Sequence, residues 1–310
     1  MKVRIGLMLG GGGAKGAYQL GVIKALEEAD LLKHIKSISG TSIGAINTIL
    51  LMANKNHSHM SEIWSEIDHK SVFGHRNNLF KKPDRMYSLG PLAETLISKV
   101  NQEEIKKSNY RGFATAALMY SKESLLHQIT TDTMEKRVFC LNECENPYDA
   151  VLASASIPVI FGPTQIDGFN YVDGGILDNY PVQPLIDDGC NLIFAVPLDD
   201  RFNPHIYDYA NVHIIDFTAQ SAFNHNIVQD YLDMLKFNHQ FKDEKEELGY
   251  LVGHIMIQKM IDEQILDQFL WMRKFKIESG FHVLSPDPKD EDFIKSNRIK
   301  IKKKNKGNKK

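Results

Sequence analysis

Four consecutive glycines, Gly10 to Gly13, stand between an apolar run and a helical pattern, and no other feature restricts the chain as much. Val3 to Leu9 is mostly apolar and suited to a buried strand. Beyond the glycines, Ala17, Leu20, Ile23 and Leu26, with Val22 and Ala25 beside them, recur at helical spacing and predict one apolar face. Gly11, Gly13 and Gly16 satisfy G-x-G-x-x-G in a strand–turn–helix setting, which by itself suits a dinucleotide. That use also needs an acidic residue about twenty positions on, at the end of the second strand, to hold the ribose. The second strand, Ile35 to Ser39, runs instead into Gly40-Thr41-Ser42, and the nearby acids Glu28 and Asp30 precede it. A Walker A loop is excluded because Gly-Lys occurs nowhere. What survives is the physics of the loop. Consecutive glycines let backbone N–H groups converge on one point, and the following helix adds its positive end. Such a site suits a phosphate or the oxyanion of an acyl transfer.

Gly40-Thr41-Ser42-Ile43-Gly44 is G-x-S-x-G between a strand and an apolar helix, the setting in which a nucleophile elbow forms. Ser42 would occupy the turn, with Gly40 and Gly44 letting strand and helix cross closely. A serine hydroxyl needs a proton acceptor before it attacks. The later histidines His205, His213, His225, His239, His254 and His282 sit in no motif, and each reads as an ordinary core or surface residue. Downstream, Tyr171-Val172-Asp173-Gly174-Gly175 puts a carboxylate at the end of a short strand before two glycines. Alone it is equally a plain Asp-Gly turn.

Taken together, Gly11-Gly12-Gly13-Ala14-Lys15-Gly16, Gly40-Thr41-Ser42-Ile43-Gly44 and Asp173-Gly174-Gly175 resemble, in order, the motifs of the patatin-like phospholipases. Two further stretches look like that family: Ala153-Ser154-Ala155-Ser156-Ile157-Pro158 before the acid and Asp178-Asn179-Tyr180-Pro181-Val182 after it. The resemblance covers roughly residues 1 to 217. It implies a serine lipid acyl hydrolase of phospholipase A, lysophospholipase or esterase type, with Ser42 as nucleophile and Asp173 as its base. It also implies an oxyanion hole on the backbone of Gly11, Gly12 and Gly13. Lys15 would orient that loop or meet a lipid head group, with Gly16, Gly40, Gly44, Gly174 and Gly175 shaping the turns. Transfer to another alcohol, thioester cleavage and a silent binding relative share the same residues.

Strand and helix alternate again at Phe113–Tyr120, Tyr148–Ser154, Leu192–Val196 and His213–Phe217, which predicts an α/β protein. The expected form is a three-layer α/β/α sandwich on a mainly parallel sheet with a helical C-terminal extension. Residues 1–217 read as the catalytic domain and 218–294 as a helical region. Within that region Asn226 to Phe241 and His254 to Phe275 read as helices, with a charged joint at Lys242–Glu247. The chain has 310 residues and a formal net charge of −2. From Lys295 to Lys310 there are nine basic residues and no acid. This reads as a disordered basic tail, either simply solvated or drawn to an anionic membrane surface.

No metal or cofactor is called for, since serine and backbone amides supply nucleophile and electrostatic stabilisation. Cys140, Cys144 and Cys190 are too few for a disulfide framework and read as structural thiols of a reducing compartment. The longest apolar stretch, Ile43 to Ala53, is too short to span a bilayer. The expected location is therefore the cytoplasm, peripheral to a membrane if the tail binds one. The expected partner is a lipid or acyl ester, and no nucleic acid is expected.

Overall fold

The computed structural model describes residues 2–67, 87–120, 133–158, 160–223, 226–267 and 274–307. In chain order the elements are β1 (Ile5–Leu9), α1 (Ala17–Glu28), β2 (Ile35–Thr41), α2 (Ile43–Met52), α3 (His57–Glu66), α4 (Gly90–Lys99) and α5 (Gln102–Lys106). Then come β3 (Arg111–Met119), β4 (Met134–Cys140), α6 (Pro147–Ser154), β5 (Thr164–Ile166), β6 (Phe169–Asp173), α7 (Gln183–Asp187), β7 (Leu192–Val196) and β8 (His213–Asp216). The last are α8 (Ile227–Met234), α9 (His239–Asp262), β9 (His282–Leu284) and α10 (Pro288–Gly307).

The chain divides into two compact units that interleave in sequence. One holds Met1–Met8, Gly12–Ile38 and Val182–Lys310, and the other Leu9–Gly11 and Ser39–Pro181. In the first unit the strand order is β2-β1-β7-β8-β9, with β7–β8 and β8–β9 parallel. Every residue of β1, β7 and β8 is buried, as in strands covered by helices on both faces. In the second unit the order is β5-β6-β3-β2, with β4 lying off the path beside β3. Here β3–β4, β3–β6 and β5–β6 are antiparallel. Alternate residues of β3 serve two faces: Ala116 and Leu118 pack with Ala153 and Tyr171, while Ala117 and Met119 pack with Val172. The architecture is the three-layer α/β/α sandwich with a mainly parallel central sheet.

Several elements differ from expectation. Within the expected strand–helix alternation, Tyr148–Ser154 lies in helix α6. Asn146 accepts the Tyr148 N–H at 3.1 Å and Pro147 occupies the first turn, a helix-start signature. The charged stretch Lys242–Glu247 is not a joint; it lies inside the 24-residue helix α9. Its charges are paired, Lys242 with Glu246, Glu244 with Lys302 and Glu247 with Lys304. The break comes earlier, before Asn238, whose side chain caps α9 by accepting the Phe241 N–H at 2.9 Å. Helix α9 also ends at Asp262, so it does not run to Phe275, and β9 appears where strand signals had faded.

The basic segment differs most. Residues 295–307 form the second half of α10, with Ile294 and Ile301 buried and Arg298 Nη1 donating to the carbonyls of Ser221 and Phe223. Its lysines answer the acids of α9, which removes the reason for disorder; residues 308–310 lie outside the described residues. No unit boundary falls at 217, and residues 218–294 belong to the same unit as Gly12–Ile38 and Val182–Phe217. Among the described residues no helix is long and apolar enough to cross a membrane.

Candidate active site

β2 ends at Thr41 and α2 begins at Ile43, so Ser42 alone makes the turn between them. Its backbone sits at φ 55° and ψ −123°. A residue with a side chain seldom adopts such a conformation, and it persists only where the surroundings impose it. Here the Ser42 N–H donates to Ser154 Oγ at 2.9 Å, and Ser154 Oγ in turn donates to the Thr115 carbonyl at 2.6 Å. The Ser42 carbonyl accepts the Ala45 N–H at 2.9 Å. Gly40 and Gly44 are required by contact: a Cβ on Gly40 would strike the Gly44 carbonyl, and one on Gly44 the Leu9 carbonyl.

Asp173 ends β6, paired in register with Ala116 of β3. Its N–H donates to the Ser156 carbonyl at 2.9 Å. The side chain is held at both oxygens, Oδ1 accepting the Gly175 N–H at 2.7 Å and Oδ2 accepting Ser42 Oγ–H at 2.6 Å. Gly174 lies so close to β3 that a Cβ would meet the Thr115 carbonyl. Ser42 and Asp173 are 6% and 7% exposed, so this hydrogen bond is made almost out of water. Burial pushes the Asp173 carboxyl up to about 6, against the opposing pull of the bonds from Ser42 and Gly175. The two residues that the sequence singled out, 131 positions apart, therefore meet directly.

The glycine loop is divided. Gly11 shares a unit with Ser42 and packs against it, a Cβ there falling 3.2 Å from Ser42 Cβ. The Gly11 N–H donates to the Asn179 carbonyl at 3.3 Å, and Asn179 Nδ2 donates back to the Gly11 carbonyl at 3.3 Å. Thr41 Oγ1 donates to the Asp178 carbonyl at 2.9 Å, and Lys136 pairs with the Asp178 carboxylate at 3.0 Å. The Asp178–Asn179 segment thus clamps the loop and the end of β2. Gly12 and Gly13 belong to the other unit. Gly12 abuts the Leu198 side chain, and Gly13, at φ 56°, lies against the Met234 carbonyl. Gly13 opens the 3-10 turn Gly13–Gly16 that leads into α1, and the first amides of such a turn have no acceptor within it.

Lys15 is 1% exposed, and its ammonium pairs with Asp230 of α8 at 2.7 Å over the ring of Phe223. It is turned inward and committed. The late histidines are engaged elsewhere in their own unit: His205 edge-on to Phe281, His213 stacked on His282 at 4.3 Å, and His254 beside Tyr250. His239 opens α9, and His225 lies outside the described residues. Among the described residues no group of three or more His, Cys, Asp or Glu side chains is placed to hold a metal ion. Sequence reasoning gave no role to Ser154, Ser156 or Asn179. Their only signal was membership of the two supporting stretches around Asp173.

Residues 7–186 match the family model for patatin-like phospholipase. The lysophospholipase NTE1 of Kluyveromyces lactis is 28% identical over 202 residues, 64% of this chain and 13% of that protein. Its counterpart in Eremothecium gossypii is 30% identical over 205 residues, 64% of this chain and 12% of that protein. The Saccharomyces cerevisiae lysophospholipase NTE1 is 27% identical over 225 residues, 71% of this chain and 12% of that protein. The chain spans about an eighth of the length of these curated relatives. Among solved structures, the type III effector protein ExoU aligns at TM-score 0.45 and 16% identity, over 83% of this chain and 53% of that one. VipD from Legionella pneumophila aligns at TM-score 0.33 and 14% identity, over 98% and 67%. Likenesses at these scores carry no argument. The family model matches more than half of the chain and spans the glycine loop, the serine turn and the aspartate. The chain belongs to the patatin-like phospholipase family.

Proposed function

We propose that this chain hydrolyses carboxylic esters of lipids through a Ser42–Asp173 dyad. The observation that carries the reading is the 2.6 Å hydrogen bond from Ser42 Oγ to Asp173 Oδ2, made by a serine in a strained turn and a carboxylate held in place by Gly175. Asp173 accepts the hydroxyl proton as Ser42 Oγ attacks the ester carbonyl. The carbonyl oxygen, now negative, turns to the amides of the Gly11–Gly13 loop. Collapse of the intermediate expels the alcohol, which takes the proton back from Asp173. Water activated by the same carboxylate then releases the fatty acid from Ser42. A carboxylate raised to about 6 is a stronger base than a free one and is still mostly ionised at neutral pH.

The relatives are lysophospholipases by name, which supports a lysophospholipid or related glycerolipid as the ester. Hydrolysis of p-nitrophenyl butyrate and of lysophosphatidylcholine by the parent, Ser42→Ala and Asp173→Asn tests the dyad. Both substitutions are expected to lower turnover by at least about a hundredfold. Near-parental turnover by Asp173→Asn would assign the base elsewhere.

A further inference from the structure

Helix α8 is built inside out. Val228, Tyr231 and Leu232 are 70%, 50% and 48% exposed. Spaced at i, i+3 and i+4, they form a single stripe. Its acids turn the other way: Asp230 accepts from the buried Lys15 at 2.7 Å, and Asp233, 3% exposed, accepts from Gln229 at 3.0 Å and from Lys236. A water-facing helix ordinarily buries its apolar stripe and shows its charges. The helix is also firmly held. Asn226 caps it by accepting the N–H groups of Val228 and Gln229 at 3.0 and 3.2 Å, and the Met234 carbonyl rests against Gly13. The exposed stripe is therefore imposed by internal bonding, since Asp230 and Asp233 can reach their lysines only with Val228, Tyr231 and Leu232 outward.

We infer that α8 is the element by which this chain docks on a lipid surface, seating Val228, Tyr231 and Leu232 at the boundary of head groups and acyl chains. The choice of lipid rests on the lipid-hydrolase reading above and on the charges beside the stripe. Neither carboxylate of α8 faces out, and two exposed cations lie beside it. Arg201, with a 67% exposed side chain, lies 4.0 Å from Asp230, and Lys236, 42% exposed, follows the helix. Aliphatic and tyrosyl side chains flanked by cations suit an interface with zwitterionic or anionic lipid. A second copy of the chain fits less well. Three partly exposed side chains offer on the order of 300 Å² of surface, against about 800 Å² per partner in a stable protein interface. The Lys15–Asp230 pair links the docked helix to the glycine loop, so docking would bring that loop to the lipid.

The test uses the full chain carrying Ser42→Ala, so that vesicle binding is read without turnover. Sedimentation with phosphatidylcholine vesicles containing a minority of phosphatidylglycerol is compared with and without Val228→Ser, Tyr231→Ser and Leu232→Ser together. The expected result is a partition at least about tenfold weaker for the triple variant at an unchanged thermal midpoint. Equal partition, or no binding by the Ser42→Ala chain itself, overturns the inference. Light scattering that shows a dimer lost in the triple variant, with vesicle binding intact, overturns it in favour of contact between copies. Should the triple variant fold poorly, Leu232→Trp replaces it. Its emission should shift to the blue on adding vesicles beyond any shift of the parent, and an equal response overturns the inference. Ester hydrolysis by the parent separately reads the catalytic proposal. An inactive parent whose Ser42→Ala form still binds vesicles through α8 would end that reading and keep the docking helix.

Discussion

A carboxylate taken out of water becomes both a better base and a burden on the fold, and Asp173 carries both consequences. Burial raises it from 3.8 to about 6, so the native state holds this proton more tightly than the unfolded chain does. The stability it contributes is present in full below about pH 4 and is lost as pH rises through about 6. In the proposed mechanism catalysis runs the opposite way, because the base must be ionised. Turnover of a soluble ester is expected to rise through an apparent pKa of about 6 and then level off, measured as a pH–rate profile at saturating substrate. Asp173→Asn keeps the shape and removes the buried charge. Its thermal midpoint at pH 8 should equal or exceed the parent's, by up to ~3 kcal/mol of stability, even as activity is lost. A midpoint well below the parent's at pH 8 would mean that the ionised side chain holds the site together. The sequence identified Ser42 and Asp173, because a glycine-flanked turn and a strand end are local signals. It gave no role to Ser154, whose hydroxyl holds the Ser42 amide, because that bond joins residues 112 positions apart.

Helices α1 and α9 pack backbone to backbone. A Cβ on Gly21 would strike the Glu246 carbonyl and one on Gly249 the Tyr18 carbonyl, so the two backbones approach as only glycine permits. Gly249→Val should force them apart and cost about 2–3 kcal/mol or more, seen as a lower urea midpoint. No loss of stability would mean that the helices can separate freely. The period of α1 was plain in the sequence because its apolar face recurs every three or four residues. The fate of Lys242–Glu247 was not. Those charges look like a solvated joint until α10 is set against them, when Glu244 meets Lys302 and Glu247 meets Lys304. Lys245 reads as one more surface lysine. In the structure it is wholly buried, donates to the Ala222 carbonyl at 2.6 Å, and is lowered by burial to about 7.

At the scale of the whole chain, the C-terminal segment is part of the packed structure. Glu291 accepts the amides of Gln220 and Ser221, Arg298 donates to two carbonyls, and Ile294 and Ile301 are buried. Removing residues 288–310 should lower the thermal midpoint by about 5–10 °C, since each buried isoleucine alone contributes roughly 1.5–3 kcal/mol. An unchanged midpoint in a thermal scan would return the segment to the role of a solvated tail. The exposed lysines Lys295, Lys300 and Lys303 remain on its outer face. Any test of their attraction to anionic lipid is therefore better made by Lys→Gln substitution than by truncation.

By itself the sequence determined the strand–glycine–helix opening, the serine turn, the aspartate after its strand and the α/β alternation. Each of these depends on neighbours within about ten residues, where steric freedom and hydrophobic period act directly. The tertiary structure decided the rest. It assigned α6 as a helix, a run of eight residues in which all but Asp149 are buried. It decided that the basic segment would be ordered, because its charges needed the acids of α9 to pair with. It turned Lys15 inward, where Asp230, 215 positions away, meets its buried ammonium at 2.7 Å.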